Sequence, residues 1–414
     1  MKRIIFSILI AAISINSIAQ LSLTGEFRPR GEFRHGYKQL ADDLLRKDPA
    51  ILVSQRSRLN LNYKADDYKI EFSVQDVRFW GDQIPKEDVA SLAVYKAWLA
   101  YKIQDSLWVK LGRQELVFDN QRLLANHNWN QGGDTHDALR LDYNKSVNIS
   151  FISAYNQNSD RLFGNHYLYY DKNYKLLNVL WLTKKINNFK LQLAGINDGY
   201  QKANTTATIY MRYTYGGGID ASFNKFVIQG RGYLQSGKTN AGKEIVANYF
   251  SFILSDTLSK NLVLTAGFEQ FSGNNATDTT NIRQHAFDPL YGSTHAYNGR
   301  LDYFGNVISI TKGSGLRDIY LKANCKCCKN TTLLIDYHAF LLQNKYLVNN
   351  KEIDKYLGSE IDICTKFALS KVADLEIGYS YMFPTSSLET FVGGSKDVTS
   401  YWAYIMFILK PKFL

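Results

Sequence analysis

Strict alternation of apolar and charged residues near the N-terminus most constrains how this chain folds. Every second residue from Leu21 to Phe33 is apolar or glycine, and Tyr37 falls on the same parity. The intervening positions from Ser22 to Arg34 are all polar or charged. Successive side chains of a strand point to opposite faces, so this segment has one apolar and one charged face. The pattern recurs between connections that are alternately short and long, which is typical of a closed barrel in a lipid bilayer with its charges inside.

The bulk composition agrees with membrane strands better than with membrane helices. The chain has 414 residues, among them 28 tyrosines and 23 phenylalanines. Its mean hydropathy is −0.27, and beyond the N-terminal segment we find no apolar run of about 18 residues, the length that a spanning helix needs. A transmembrane barrel distributes its apolar residues by alternation, so its hydropathy is expected to be modest.

The N-terminus has the features of a secretory signal peptide. Lys2 and Arg3 precede an apolar stretch from Ile4 to Ile18, and Ser17 to Ala19 offers small residues at the two positions that signal peptidase reads. We therefore expect a signal peptide over residues 1–19; a retained interfacial helix is the alternative. No linker, charge block or composition shift divides residues 20–414, so we expect one barrel domain there.

The alternation predicts eighteen strands of about ten residues each. Tight turns follow the even-numbered strands, so all of them lie at one end of the barrel with both termini. We therefore predict an all-β fold, a transmembrane antiparallel up-and-down β-barrel of about 18 strands and of the outer-membrane type, with long loops outside. The predicted strands cover residues 21–35, 51–64, 68–75, 91–102, 107–115, 137–143, 147–156, 174–184, 189–195, 207–216, 225–235, 246–255, 262–271, 316–325, 331–342, 357–368, 375–383 and 399 to the end.

Two local features qualify this prediction. Pro29 interrupts the first strand and has no N–H for the ladder, so we expect a bulge or an early end of the bilayer crossing there. The aromatic run from Tyr401 to Leu409 resembles the terminal strand that barrel-insertion machinery recognises. Outer-membrane lipids and that machinery are therefore expected partners.

Basic side chains on the inward parity are the candidate functional residues. The formal net charge is +11, and export argues against nucleic acid as the partner. A cation in hydrocarbon would cost about 2–4 kcal/mol, so these residues should face the lumen. There they either attract anionic solutes or brace the wall through ion pairs, and the sequence leaves both open. The candidate pore-lining residues are Arg28, Arg30, Arg34, Arg56, Arg58, Lys110, Arg113, Arg122 and Arg140, with Glu26 and Glu32 alternating among them.

Other chemistry receives little support from the sequence. The cysteines at 325, 327, 328 and 364 lack a second spaced pair or a histidine that would complete a zinc site, so a disulfide or free thiols are expected. Acidic loop residues such as Asp278 and Asp288 are possible calcium ligands; otherwise no cofactor or metal is expected. No histidine lies in a nucleophile motif, so we do not expect an enzyme, although a cluster formed in space remains an alternative.

Several motifs resemble the alginate export family. The first is Leu111–Leu116, followed by Asp119, Gln121–Leu124, Trp129, Gln131, His136 and Asp137. Later blocks in the same order are Phe287–Gly292, Gly299–Phe304, Tyr337–Phe340 and Leu357–Asp362. The resemblance implies an 18-stranded outer-membrane barrel with an electropositive constriction that passes an anionic uronate polymer, and it makes Arg113 and Arg122 candidates for the conduit.

These observations lead to one functional expectation and three alternatives. We expect a channel in the cell outer membrane that passes anionic solutes, such as uronate or alginate-like saccharides, by passive diffusion. Long outer loops would narrow its entrance. The alternatives are a general unselective porin, a structural barrel plugged by its loops, and an outer-membrane barrel hydrolase.

Overall fold

The computed structural model describes residues 20–87, 89–169, 172–202, 205, 208–278, 280 and 282–414. The predicted signal peptide, residues 1–19, lies outside the described residues. In the described ranges no helix has the length and apolar character needed to cross a membrane.

Almost all segments in which apolar and polar residues alternate form β-strands. Eighteen strands of the described chain form one antiparallel sheet, and a two-stranded hairpin lies in a loop. The sheet strands are β1 (Gln20–His35), β2 (Ala50–Lys64), β3 (Tyr68–Phe79), β4 (Leu92–Gln104), β5 (Leu107–Gln114), β6 (His136–Asn144), β7 (Asn148–Tyr155), β8 (Leu176–Ile186), β9 (Phe189–Gln201), β10 (Ile209–Phe223), β11 (Phe226–Lys238), β12 (Glu244–Ser259), β13 (Leu262–Phe271), β14 (Leu316–Cys328), β15 (Thr331–Leu342), β18 (Tyr356–Ala368), β19 (Ala373–Pro384) and β20 (Ser400–Leu409). The hairpin is β16 (Leu347–Val348) with β17 (Lys351–Glu352), and two short helices are α1 (Val307–Ile310) and α2 (Ser386–Val392).

The sheet closes on itself between its first and last strands. β1 pairs with β2 along its length and with β20 on its other side, where Arg34 lies opposite Trp402. Closure leaves no unpaired edge, as a barrel in lipid requires. The turns of two to four residues after the even-numbered strands β2 to β14, and after β18, lie at one end, and the long connections lie at the other. The predicted antiparallel barrel of 18 strands is therefore confirmed.

The outer face carries the apolar parity. Leu193 is 62% exposed and Ile405 is 51% exposed, whereas the inward-facing Arg56 is fully buried. This face would contact lipid, and aromatic residues flank it at both ends, as in outer-membrane barrels. The turn end has Tyr63, Tyr68, Tyr101, Phe189, Phe223 and Phe226, and the loop end has Phe33, Tyr155, Tyr213, Tyr379, Phe383 and Tyr401.

Pro29 does not produce the predicted bulge. β1 keeps one continuous register with β2 through Pro29, which lies opposite Gln55. On the other side the ladder to β20 is interrupted at Arg28 and Pro29 and resumes at Arg30 without a shift of register. The missing N–H therefore costs ladder contacts only at the seam where the barrel closes.

The glycine-rich stretch 216–224, which joins the predicted strands 207–216 and 225–235, is mostly strand. β10 continues to Phe223, and the turn to β11 has only two residues. Gly218 explains why a strand here uses glycine: a Cβ at this position would lie 2.2 Å from Cδ of Arg231. The absence of a side chain leaves room for that arginine on the inner face.

Two long connections enter the barrel instead of staying at its mouth. We call residues 115–135 the first inner loop and residues 272–315 the second inner loop. They pair with each other, because Ala125 N–H donates to Tyr291 O at 2.9 Å and Tyr291 N–H donates to Leu123 O at 3.1 Å. The loops also share an apolar core that is 0–2% exposed: Leu116, Leu123, Leu124, Phe287, Leu301, Tyr303, Phe304 and Val307.

Candidate functional site

The arginines of β1 and β2 face the lumen, as their parity predicts. Arg28, Arg30, Arg56 and Arg58 are each 9% exposed or less. Arg28 and Arg56 lie directly opposite each other in the β1–β2 register, as do Glu26 and Arg58. The pairing thus collects the positive charges of two strands on one strip of the wall.

The first inner loop covers this strip. Arg28 donates from Nη1 to Asn128 O at 2.8 Å, from Nη2 to Asn130 O at 3.1 Å and from Nε to Gln131 Oε1 at 3.0 Å. Arg56 donates from Nη2 to Asn128 Oδ1 at 2.8 Å and to Glu26 Oε1 at 2.6 Å. These guanidinium groups therefore hold a loop in this structure and do not line an open, water-filled bore.

The other end of the first inner loop is fixed on β9 to β11. Asp119 accepts from Arg231 at 2.5 and 2.9 Å, and Lys190 lies 3.9 Å away. Burial alone would raise the pKa of Asp119, but the hydrogen bonds and charge of Arg231 keep it below its usual range. Because β1 and β10 lie about half the barrel apart, this loop crosses the lumen as a strap between facing walls.

The second inner loop is held by residues of β10 and β18. Asp288 pairs with Arg212 of β10, which also holds Asp198 at 2.6 Å. The backbone N–H groups of Arg300 and Leu301 donate to Glu360 Oε1 of β18 at 2.5 and 2.8 Å. Asp288, a possible calcium ligand from the sequence, is therefore engaged by an arginine, whereas Asp278 is exposed and its side chain accepts from Thr280.

Arg122 links the two inner loops to the wall. Its Nη2 donates to Glu269 of β13 at 2.5 Å and to Asn298 at 3.0 Å, and its guanidinium lies 4.3 Å from the ring centroid of Tyr297. Both charged side chains are at most 3% exposed. Arg122, which the resemblance made a conduit candidate, is thus buried among protein groups.

Lys110 and Arg140 lie together on β5 and β6, where they are partners in the register. Lys110 Nζ lies 3.8 Å from the ring centroid of Trp98. Arg140 donates from Nε to Asp142 at 2.9 Å, which braces the wall at the turn end of the barrel. Both face inward, since Leu111 and Leu141 take the opposite parity.

Arg113 does not line the lumen and corrects the prediction. It shares its parity with Leu111, which is 52% exposed on the outer face. Its guanidinium pairs with Asp137 at 2.8 Å, and the two side chains are 44% and 58% exposed. Strand alternation places this ion pair on the outside of the barrel, at the loop end. The family motif pointed to the residue, but the parity of its own strand decides its direction.

A cavity of about 690 Å³ lies between β1, β2 and the first inner loop. Arg30 packs 4.3 Å from the ring centroid of Trp129, and Arg34 packs 4.6 Å from that of Tyr37. Glu32 accepts from Arg30 and Arg34, both at 2.9 Å. The Arg34 side chain keeps 30% of its surface exposed. Guanidinium groups beside aromatic rings suit a ligand that combines a carboxylate with an apolar ring face.

Sequence reasoning missed two parts of this lumen. Trp129 and Tyr37 were visible, one in a motif and one by parity, but neither was assigned to the site. The inward carboxylates of the later strands were also missed, although the same alternation marks them. They form an acidic wall on β13 to β18, which β19 and β20 separate from the arginine strip: Glu269, Asp318, Asp336, Glu360 and Asp362.

The cysteines are free thiols in the structure. Cys325 Sγ and Cys327 Sγ lie 3.4 Å apart at the end of β14. Cys364 is buried on β18, where the hydroxyl of Tyr404 lies 3.5 Å from its sulfur. Of the two readings that the sequence left open, the structure shows thiols.

Comparison with known proteins agrees with the fold. Residues 19–192, somewhat less than half of the chain, match the alginate export family. No curated protein matches the chain. Among solved structures, OccK10 (OpdN) of Pseudomonas aeruginosa superposes with a TM-score of 0.62 at 12% identity, covering 95% of this chain and 99% of that one. OprD from Pseudomonas aeruginosa gives 0.59 at 9% identity, with 95% and 94% covered.

The solved structures, at 9–12% identity, establish the fold alone. The family match supports the resemblance to the alginate export family that the motifs indicated. The closed sheet, its apolar outer face and its two aromatic belts agree with both. The chain is therefore an outer-membrane β-barrel of the porin fold that resembles the alginate export family, with the family match lying in residues 19–192.

Proposed function

We propose that this barrel is a channel that passes anionic, uronate-like saccharides passively across the outer membrane. The observation that carries the proposal is the cavity in which Arg30 and Arg34 lie beside Trp129 and Tyr37. A sugar acid presents a carboxylate and a ring with apolar C–H groups, and this pair of groups matches that chemistry.

The charge of the cavity supports an anion over a cation. Its lining includes Arg30, Arg34, Lys38 and Arg46, against the carboxylates of Glu32 and Asp48. A lining with excess positive charge raises the local concentration of anions and lowers that of cations. Several weak sites, rather than one tight site, allow the solute to leave again.

The inner loops set the size of what passes. They cross the lumen and bind Arg28 and Arg56, so these two arginines reach a solute only when the strap moves away. We therefore expect short oligomers and single sugar acids to be better solutes than a long polymer in the closed arrangement. The shared apolar core of the loops favours the second candidate, a plugged structural barrel.

Planar-bilayer recording of the full chain tests the proposal. A salt gradient should give a reversal potential of anion preference, and uronate oligomers should block the current more than neutral oligosaccharides of equal length. Arg34→Gln should reduce both effects, because it removes a partly exposed guanidinium of the cavity. Lys145→Gln, in the exposed β6–β7 turn, removes the same charge elsewhere and should change neither.

Each other outcome identifies a different protein. Cation preference in the unmodified chain would contradict the proposal. Equal passage of anions and cations would indicate a general porin, and no conductance would indicate a plugged structural barrel. Hydrolysis of an added ester or glycoside would indicate a barrel enzyme.

A further inference from the structure

A cluster of metal-ligand residues lies in the acidic wall, behind the second inner loop. Asp336 and His338 come from β15 and Asp362 from β18, and one ligand atom of each lies within 4.8 Å of the others. Asp336 and Asp362 are directly opposite in the register. All three residues are at most 9% exposed. Two opposed carboxylates destabilise a sheet unless something positive lies between them.

The histidine is already oriented for a ligand. Nδ1 of His338 lies 2.9 Å from both carboxylate oxygens of Asp318. This contact places the proton on Nδ1 and leaves Nε2 with a free lone pair. A histidine that binds a metal through one ring nitrogen usually donates the N–H of the other ring nitrogen to a carboxylate, which orients the ring.

Asp362 gives an independent indication of a bound ligand, because one of its buried oxygens has no partner among the described protein groups. Its Oδ1 accepts from Ser380 Oγ at 2.5 Å, but its Oδ2 has no hydrogen-bond partner among the described residues, although the residue is 1% exposed. Glu360 Oε2, on the same face of β18, is also without a partner in the described chain. A buried carboxylate oxygen without a partner is costly, and a bound cation or a shared proton would remove that cost.

The charges around the cluster favour an additional positive group. Four carboxylates, those of Asp318, Asp336, Glu360 and Asp362, surround the cluster. Lys322 Nζ lies 3.5 Å and Arg300 Nη2 lies 3.7 Å from Asp336 Oδ2. Carboxylates thus outnumber the cations that contact them, and a divalent cation between them would supply the missing positive charge.

A cavity of about 450 Å³ opens onto the cluster. Asp336, His338 and Asp362 line it together with Trp129 of the first inner loop. A site with three protein ligands and an open side matches sites that keep one position for water or another ligand. The ligand atoms must approach to about 3.4 Å of one another around a tetrahedral ion, which follows from bonds of about 2.1 Å and requires only small side-chain rotations.

We propose that Asp336, His338 and Asp362 bind a divalent transition-metal cation inside the barrel. One imidazole nitrogen and two carboxylate oxygens favour zinc and its first-row neighbours over calcium, which prefers six to eight oxygens. None of the three ligands lines the cavity proposed for anions.

Zinc titration of the chelator-treated full chain in detergent tests this site. Calorimetry should show one strong equivalent, and cobalt should give a visible absorption band of imidazole and carboxylate ligation. His338→Ala should abolish both signals, and Asp362→Asn should weaken zinc at least ten-fold while keeping the shape and the bond from Ser380. His295→Ala is the matched control, because His295 lines the same cavity but pairs with Asp302 outside the cluster.

The variants also decide against the proposal. Zinc binding of equal strength in the unmodified chain, His338→Ala and Asp362→Asn would place the metal on other histidines. No binding at all in the unmodified chain would mean that Glu360 and Asp362 share a proton instead. Far-UV circular dichroism shows whether each variant has folded; if His338→Ala has not, Asp362→Asn and Asp336→Asn carry the test.

Discussion

Arg28 and Arg34 stand six residues apart on the same face of β1, yet they face different surroundings. Arg28 donates to four backbone or amide oxygens of the first inner loop and is 4% exposed. Arg34 pairs with Glu32 and keeps part of its side chain in a cavity. Charge-assisted hydrogen bonds of the first kind hold structure, whereas a half-exposed guanidinium remains available to a solute.

His127 gives the contact between the inner loops a pH dependence. Nδ1 lies 2.7 Å from Asp134 Oδ2, and Nε2 lies 2.9 Å from Gly292 O. The hydrogen bond to Asp134 raises the pKa of His127 against the opposing effect of burial. A raised histidine pKa adds stability that is complete below the unfolded pKa of about 6.5 and is lost as pH rises through the folded value.

We therefore expect the first inner loop to open more easily at pH 8.5 than at pH 5.5. The effect should be about 1 kcal/mol, since Asp134 is half exposed and partly screened. Hydrogen exchange of amides 126–134, corrected for the intrinsic rate at each pH, measures it. Asp134→Asn should remove most of the difference; equal protection at both pH values in the unmodified chain would contradict this role of His127.

At the scale of elements, the first inner loop is the feature that most changes the lumen. It is tied to β1 and β2 at residues 128–131 and to β11 at Asp119, so it spans the bore. The second inner loop supports it through the backbone pairing at Tyr291. A strap with two anchored ends opens more easily when one anchor is weakened, and at this end Asp119 holds β11 while Arg122 holds β13.

Asp119→Asn should weaken that end, although Arg122 still pairs with Glu269. Arg231 keeps Asp220 at 2.5 Å, so the barrel wall should fold normally. Loss of the charged bonds should cost the closed strap about 2 kcal/mol, which is up to roughly thirty-fold in its opening equilibrium. Single-channel recording should show longer open times and larger conductance. Asp105→Asn, a fully exposed turn carboxylate, is the control; conductance unchanged from the unmodified chain would show that the strap does not obstruct the path.

At the scale of the whole molecule, closure of the barrel allows the outer surface to be apolar. Because β1 pairs with β20, every strand of the barrel has two neighbours and its backbone polar groups are satisfied inside the sheet. The outward side chains are then free to be apolar, and the charged ones are collected inside. The arginine strip on β1 and β2 and the acidic wall on β13 to β18 line different parts of a lumen that the inner loops fill. Recognition of β20 by insertion machinery stays a prediction.

A charge on the outer surface should therefore cost more in the middle of a strand than at its end. Leu193→Arg, on the mid-strand outer face of β9, should lower the free energy of unfolding from lipid vesicles by about 2–4 kcal/mol. Leu258→Arg, one residue from the turn end of β12, should cost at most about 1 kcal/mol. Denaturant titration in vesicles compares the two; equal costs would mean that this face does not span a bilayer.

The sequence by itself determined the strands, their direction and which side chains face inward. This is because a strand alternates every second residue, a local property that Leu21 to Arg34 already display. Arg113 follows the same rule, because it shares its parity with Leu111, and that parity was sufficient to place it on the outer face. The effect of Pro29 could not be predicted from the sequence, because it depends on which neighbouring strand lies beside its backbone nitrogen.

Only the tertiary structure decided where the inner loops run and what the inward charges contact. Arg28 meets Gln131 across 103 residues of chain, and Asp119 meets Arg231 across 112. Such contacts follow from long-range packing of irregular backbone, which has no period in the sequence. The same holds for Asp336, His338 and Asp362, which become one cluster only because β15 and β18 are neighbours in a register that closure of the barrel sets.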